Sequence, residues 1–162
     1  MSVTLVLGGA RSGKSVVAER LAGDGPVTYV ATFVGGADDP DMAARIATHR
    51  ARRPASWTTV ETDDVTAAVR DAAGTVLVDS LTTWVGGAPG FAVDAAGLCL
   101  ALGGHAGDVI LVSDEVGFGV HPSSEPGRRF RDALGLVNQA VSAVADEALL
   151  VVAGRTLRLG VV

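Results

Sequence analysis

A single cysteine, Cys99, leaves this 162-residue chain without an internal disulfide or a cysteine-based metal cluster, and a buried apolar role suits it. No apolar run approaches the ~20 residues of a membrane-spanning helix, and no basic segment with a cleavage site opens the chain, so a cytoplasmic location is expected. Basic residues number 13 against 18 acidic ones, and the resulting charge of −5 argues against non-specific nucleic-acid binding. Aromatic residues make up only 4% and form no strip interleaved with basic side chains, which removes the usual platform for stacking single strands. Internal repeats and linkers are also missing, and low complexity is confined to glycine-rich patches. The 48% of apolar residues suffices for one domain over 1–162 with a continuous core.

Lysine is as scarce as cysteine, for Lys14 is the only one. It falls in Gly8-Gly9-Ala10-Arg11-Ser12-Gly13-Lys14-Ser15, a GxxxxGKS phosphate loop between an apolar run at 3–7 and a helical pattern at 14–21 that Gly23 ends. Glycines let successive N–H groups turn inward around phosphate oxygens, and the following helix points its positive end at them. Lys14 is expected to reach the β- and γ-phosphates, and Ser15 to place its hydroxyl on Mg²⁺. A compact ammonium in a chain otherwise served by arginine fits that task. The competing reading, a glycine-rich turn before an ordinary helix, leaves the complete motif unexplained.

The remaining apolar runs alternate with helical patterns, which predicts an α/β fold with a mostly parallel central sheet and helices on both faces. A strand at 27–31 ends at Thr32, and ligands in such sheets bind beyond the carboxyl ends of strands, so Thr32 and the loop 33–38 are either nucleotide contacts or plain surface. Asp39 then caps a helix that Pro40 starts and Pro54 stops. On it Arg45, His49, Arg52 and Arg53 recur at three- and four-residue spacing and share a face. Guanidinium neighbours disfavour an imidazolium and gather phosphates, which makes His49 a candidate nucleophile; a solvated basic face with an incidental histidine is the alternative.

A short strand at 57–60 precedes Glu61, which reads as a ribose or base-edge acceptor or as an exposed carboxylate. A helix over 63–73 follows, capped by Thr62 or Asp63. Thr75–Asp79 is an apolar strand ending in a carboxylate, the Walker-B pattern, and Asp79 is expected to support Mg²⁺. Residues 80–85 lead into a flexible glycine-rich stretch, 91–102 reads as a helix, and 108–113 as another buried strand. Glu115 beyond it is a candidate for the acceptor hydroxyl or metal, or is structural, while His105 and His121 read as loop residues. The helix at 128–145 carries Phe130, Leu134, Val137, Val141 and Val144 on one stripe, and Arg128, Arg129 and Arg131 at its start oppose the helix dipole as if to meet an anion. Strands at 149–153 and 156–159 around Gly154-Arg155 suggest an antiparallel pair at an edge.

Together these residues resemble the bifunctional adenosylcobinamide kinase/adenosylcobinamide-phosphate guanylyltransferase family of cobalamin biosynthesis. The likeness runs nearly end to end, through GGARSGKS at 8–15, YVAT at 29–32, DMAARIATHRARRPASW at 41–57, VDSLTTWV at 78–85, SDEVGFGVHP at 113–122 and RFRDALGLVNQ at 129–139. It implies a RecA-like P-loop fold and two reactions. ATP or GTP first phosphorylates the hydroxyl on the aminopropanol arm of the corrinoid. GTP then guanylylates a histidine that matches His49, releasing pyrophosphate, and GMP passes to the corrinoid phosphate to give adenosylcobinamide-GDP. Arg50, Ala51, Arg52, Arg53 and Glu61 match guanine-nucleotide positions, and family members form oligomers, often trimers, with clefts between subunits. The chain departs from its relatives in a shorter, glycine-richer segment at 86–107, without the asparagine that often follows LTTWV. It also has Thr48 where some relatives carry a second histidine, which leaves one acceptor. A plain small-metabolite kinase without nucleotidyl transfer and a nucleotide-dependent binding switch are the alternatives.

Overall fold

Strands with no polar alternation are buried on both faces, and that property places them inside a parallel sheet. In the computed structural model, which describes residues 1–32 and 53–161, such runs form the interior of one seven-stranded sheet whose two edge strands are largely exposed. The seven strands are β1 (Val3–Gly8), β2 (Val27–Ala31), β3 (Trp57–Glu61), β4 (Thr75–Asp79), β5 (Val109–Asp114), β6 (Glu147–Val152) and β7 (Arg155–Leu159). Their order is β3-β2-β4-β5-β1-β6-β7, parallel throughout except for the β6–β7 pair. The expected α/β class and the antiparallel edge are both present, with β6 starting two residues earlier than the sequence suggested.

Strand alternation divides the core into two layers. Leu5, Leu7, Val76, Val78, Val109 and Leu111 face α2 (Val65–Asp71), α3 (Leu81–Gly87), α4 (Ala95–Gly104) and α5 (Glu125–Val144). Val6, Tyr29, Leu77, Ile110, Val112 and Val151 face the other way, where α1 (Lys14–Ala22) buries Ala18 against them. Tyr29, Asp79 and Asp114 therefore project on the α1 side, which is the side of the phosphate loop.

Local chemistry moved several boundaries. Residues 80–85 are not a lead into a flexible stretch: Ser80 and Thr83 cap each other's backbone reciprocally and start α3, whose Leu81, Trp84 and Val85 are buried. The helix expected from 91 starts at Ala95 under an Asp94 cap, after a 3₁₀ turn at Pro89–Phe91. Asp64, rather than Thr62 or Asp63, caps α2 by accepting from Ala67 N. Ser124 caps α5 and brings its start forward to Glu125, so Arg128 lies a turn inside and donates to the carbonyls of Pro122 and Ser123. Arg131 pairs with Asp132 and lies beside His121 Nδ1. These arginines thus brace their own loop, and Val144, 42% exposed, leaves the core stripe.

His105 is buried, with Nε2 2.7 Å from the Gly74 carbonyl, so it ties two turns together. Cys99 is only partly buried; its thiol donates to the Ala140 carbonyl, and burial raises its pKa. No helix among the described residues is long and apolar enough to cross a membrane.

Candidate active site

The phosphate loop joins the carboxyl end of β1 to the first turn of α1. Gly13, at φ 97°, is the N-cap of α1, a left-handed position that a side chain would strain. Gly8 has no room for one either, since a Cβ would stand 2.5 Å from Ser12 Oγ and 2.8 Å from the Val151 carbonyl. Ser12 N donates to the Gly9 carbonyl at 3.2 Å, and the turn of the β6–β7 hairpin closes on the loop from outside, with Gly154 N donating to the Ser12 carbonyl at 2.7 Å. Gly9, Ala10 and Arg11 are exposed, and Ser15 sits half-buried in the first turn of α1. The loop presents a helix N-terminus with its first N–H groups to anything bound there.

Lys14 spans the mouth of this loop. Its Nζ lies 2.6 Å from Asp114 Oδ1 and donates to the Gly9 carbonyl at 3.4 Å. Asp114 is held for that contact from two sides, its N–H donating to Thr82 Oγ1 and its carbonyl accepting from Asn138 Nδ2. Glu115, the carboxylate singled out in this turn, bends back to accept from Gly117 N at 2.7 Å. Sequence reasoning passed over Asp114, although Val109–Asp114 repeats the apolar-strand-plus-carboxylate signal of Thr75–Asp79.

Asp79 stands one strand further out. Tyr29 donates its phenol to Asp79 Oδ2 at 2.6 Å, and the pKa of this 2%-exposed tyrosine is driven far up by burial first and by the Asp79 charge second, so the phenol stays a donor. The guanidinium carbon of Arg53 lies 3.5 Å from the centroid of the Tyr29 ring, Arg53 Nη1 donates to Thr59 Oγ1 at 3.0 Å, and Trp57 stacks on Tyr29. Ala31 pairs with Glu61 on one side and Asp79 on the other, which sets both carboxylates in one row on the α1 face. Arg53, Pro54, Trp57, Thr59 and Glu61 enclose a cavity of about 370 Å³ at the β3 edge.

Thr32 is buried, and its hydroxyl is engaged by the backbone of Ser80 and by Thr83 Oγ1. It borders a second cavity of about 570 Å³, on the opposite face of the sheet, which Asp63, Asp64, Thr83, Trp84 and Pro89 also line. His49, Arg50, Ala51 and Arg52, with the helix expected from Asp39 and the loop 33–38, lie outside the described residues.

A family model described as cobinamide kinase / cobinamide phosphate guanyltransferase matches residues 4–159. The chain belongs to this family. Among curated relatives, a bifunctional adenosylcobalamin biosynthesis protein of Pseudomonas aeruginosa is 41% identical, covering 96% of this chain and 95% of its own length. Its counterpart in Salmonella typhimurium is 39% identical, covering 93% and 95%. Solved structures extend the likeness to fold alone. An ATPase from the type III secretion system of pathogenic bacteria superposes with a TM-score of 0.54 at 12% identity. The P4 protein of bacteriophage phi6 in complex with ADP superposes with a TM-score of 0.50 at 18% identity. This chain is covered to 92% and 96% in those superpositions and spans about half the length of either partner, 50% and 54%. For a member of the cobinamide kinase/guanyltransferase family, the phosphate loop, Asp79 and the Glu61 cavity therefore share one fold face.

Proposed function

We propose that one nucleotide-binding face serves two successive reactions, phosphoryl transfer from ATP or GTP to the arm hydroxyl of adenosylcobinamide and then GMP transfer from GTP to the new phosphate. The observation that carries this reading is the placement of Lys14, Asp79 and Glu61 on the same side of the sheet, with the phosphate loop at β1 and a polar cavity at β3. In the kinase step Lys14 leaves Asp114 for the donor's phosphates, and N–H groups of 8–15 take up the rest of their charge. Ser15 and Asp79 are the proposed magnesium residues; they offer only oxygen, which suits a hard cation. Among the described residues no group of three or more histidine, cysteine or acidic side chains could cage a metal. The ion would therefore rest largely on nucleotide phosphates and water, as Mg²⁺ usually does, and it supplies charge neutralisation at the transferring phosphoryl group.

In the second reaction a neutral ring nitrogen of His49 attacks the α-phosphorus of GTP. The new N–P bond forms as the bond to the β-phosphate oxygen breaks, and pyrophosphate leaves. An oxygen of the corrinoid phosphate then attacks the same phosphorus, the N–P bond breaks and His49 returns to its neutral form. Glu61 accepts from the N–H edge of guanine, a pattern adenine lacks, and Arg50, Ala51, Arg52 and Arg53 attend its ribose and phosphates. The working unit is taken as a homo-oligomer of one domain per chain, a trimer by family resemblance.

Incubation with α-labelled GTP and Mg²⁺, followed by denaturing separation and acid, tests the reading. Acid-labile label is expected on the parent and not on His49→Ala. An unlabelled parent under conditions where GTP binds removes the nucleophile and leaves a plain P-loop kinase.

A further inference from the structure

The two reactions use Asp79 and Arg53 but give no reason for the side chain that stands between them. Tyr29 is the only tyrosine of the chain and is 2% exposed. A residue needed solely for packing here requires no hydroxyl, because a buried phenol is costly unless it is hydrogen-bonded. Its hydroxyl is in fact spent on Asp79 Oδ2 at 2.6 Å, while its ring lies 3.5 Å from the Arg53 guanidinium carbon and against Trp57 at a centroid distance of 6.2 Å. Arg53 in turn keeps a buried Nε without a hydrogen-bond partner among the described residues, so part of its donor capacity is still to be used.

We infer that Tyr29 is a positioning residue for both half-reactions, its phenol orienting the Asp79 carboxylate toward the donor's metal and its ring seating Arg53 at the guanine-nucleotide cavity. A carboxylate that accepts from a fixed neutral donor keeps its charge and turns its second oxygen in one direction, the way outer partners commonly orient metal ligands. A guanidinium over an aromatic face is held by the ring quadrupole without losing its in-plane N–H donors. Both constraints run through one side chain with two rotatable bonds, so a displacement of Asp79 is transmitted to the ring beneath Arg53. The inference rests on the proposed roles of Asp79 and Arg53.

The test compares Tyr29→Phe, Tyr29→Leu and Asp79→Asn in the full chain, each first checked for a native melting transition. Mn²⁺ binding to the GDP-loaded protein is followed by water-proton relaxation, and GDP binding by quenching of tryptophan fluorescence. Losing one hydrogen bond to a charged acceptor should weaken Mn²⁺ binding by about 10-fold in Tyr29→Phe, with the GDP response retained. Tyr29→Leu should weaken both. Unchanged Mn²⁺ affinity in Tyr29→Phe, with a loss in Asp79→Asn, overturns the phenol's role, and an intact GDP response in Tyr29→Leu overturns the ring's. Unchanged Mn²⁺ affinity in all three variants removes the metal role of Asp79 and the inference with it.

Discussion

Lys14 Nζ is paired with Asp114, the proposed function hands the same lysine to the donor's phosphates, and Asp114→Asn separates the two demands. The pair is 2.6 Å long, with Lys14 12% and Asp114 25% exposed. Removing one partner of a fully buried pair costs about 3–5 kcal/mol, and an exposed pair is worth about 0.2–1 kcal/mol. Partial exposure places this one between them, at about 2 kcal/mol. For a chain of this size that corresponds to a fall in melting temperature of about 4–8 °C. If phosphate takes Asp114's place beside Lys14, as the proposed function requires, most of the deficit should vanish on ligand binding. Removing the carboxylate also removes a repulsion toward the phosphates. Calorimetric melts with and without saturating GDP, in chelator to exclude metal, are the assay. The expected signature is a lower melting point for the free variant and a larger GDP-induced rise than the parent shows, with metal-free GDP bound about 10-fold more tightly. Equal GDP-induced shifts in both proteins would refute the view that Asp114 and phosphate compete for Lys14.

Two further substitutions test other parts of the site. Glu61→Gln keeps the shape of the β3 cavity but replaces a charged acceptor, and preference for GTP over ATP in self-labelling should fall by about 10–100-fold with little change in melting temperature; unaltered preference would place guanine recognition elsewhere. Gly13→Ala forces a side chain into φ 97° and brings its Cβ to 3.3 Å from Gly154 Cα, so denaturant melts should show a loss of about 1–2 kcal/mol or more, together with weaker phosphate binding.

The strands and the phosphate loop were legible because each is a local signal, an apolar run or a motif in its required setting. Asp114 was not, for a reason of topology. Val109–Asp114 and Thr75–Asp79 carry the same pattern, and only strand order shows that β5 adjoins β1 whereas β4 lies one strand away. The pairing of Gly8 with Asp114 is a contact 106 residues apart in the chain, beyond any window of sequence periodicity. Tyr29 was hidden in the same way, since its partners Asp79 and Arg53 arrive from two different connections. The start of α3 failed for a local reason: its glycine-rich end outweighed the capping signal of Ser80 and Thr83, which becomes decisive once Leu81, Trp84 and Val85 have a sheet to cover.

The register also bears on how one face can hold two chemistries. Glu61, Ala31, Asp79, Val112 and Val6 form a continuous row from β3 to β1, four strand spacings or about 19 Å. The residue between the two carboxylates is alanine, Ala31. Two strand spacings separate them, so their backbone positions are about 10 Å apart. Under the proposed function this spacing leaves Glu61 to read a base edge while Asp79 serves the donor's metal two strands away. Tyr29, two residues before Ala31 on the same face, touches Asp79 with its hydroxyl and Arg53 with its ring, and so links the metal end of that row to the rim of the β3 cavity.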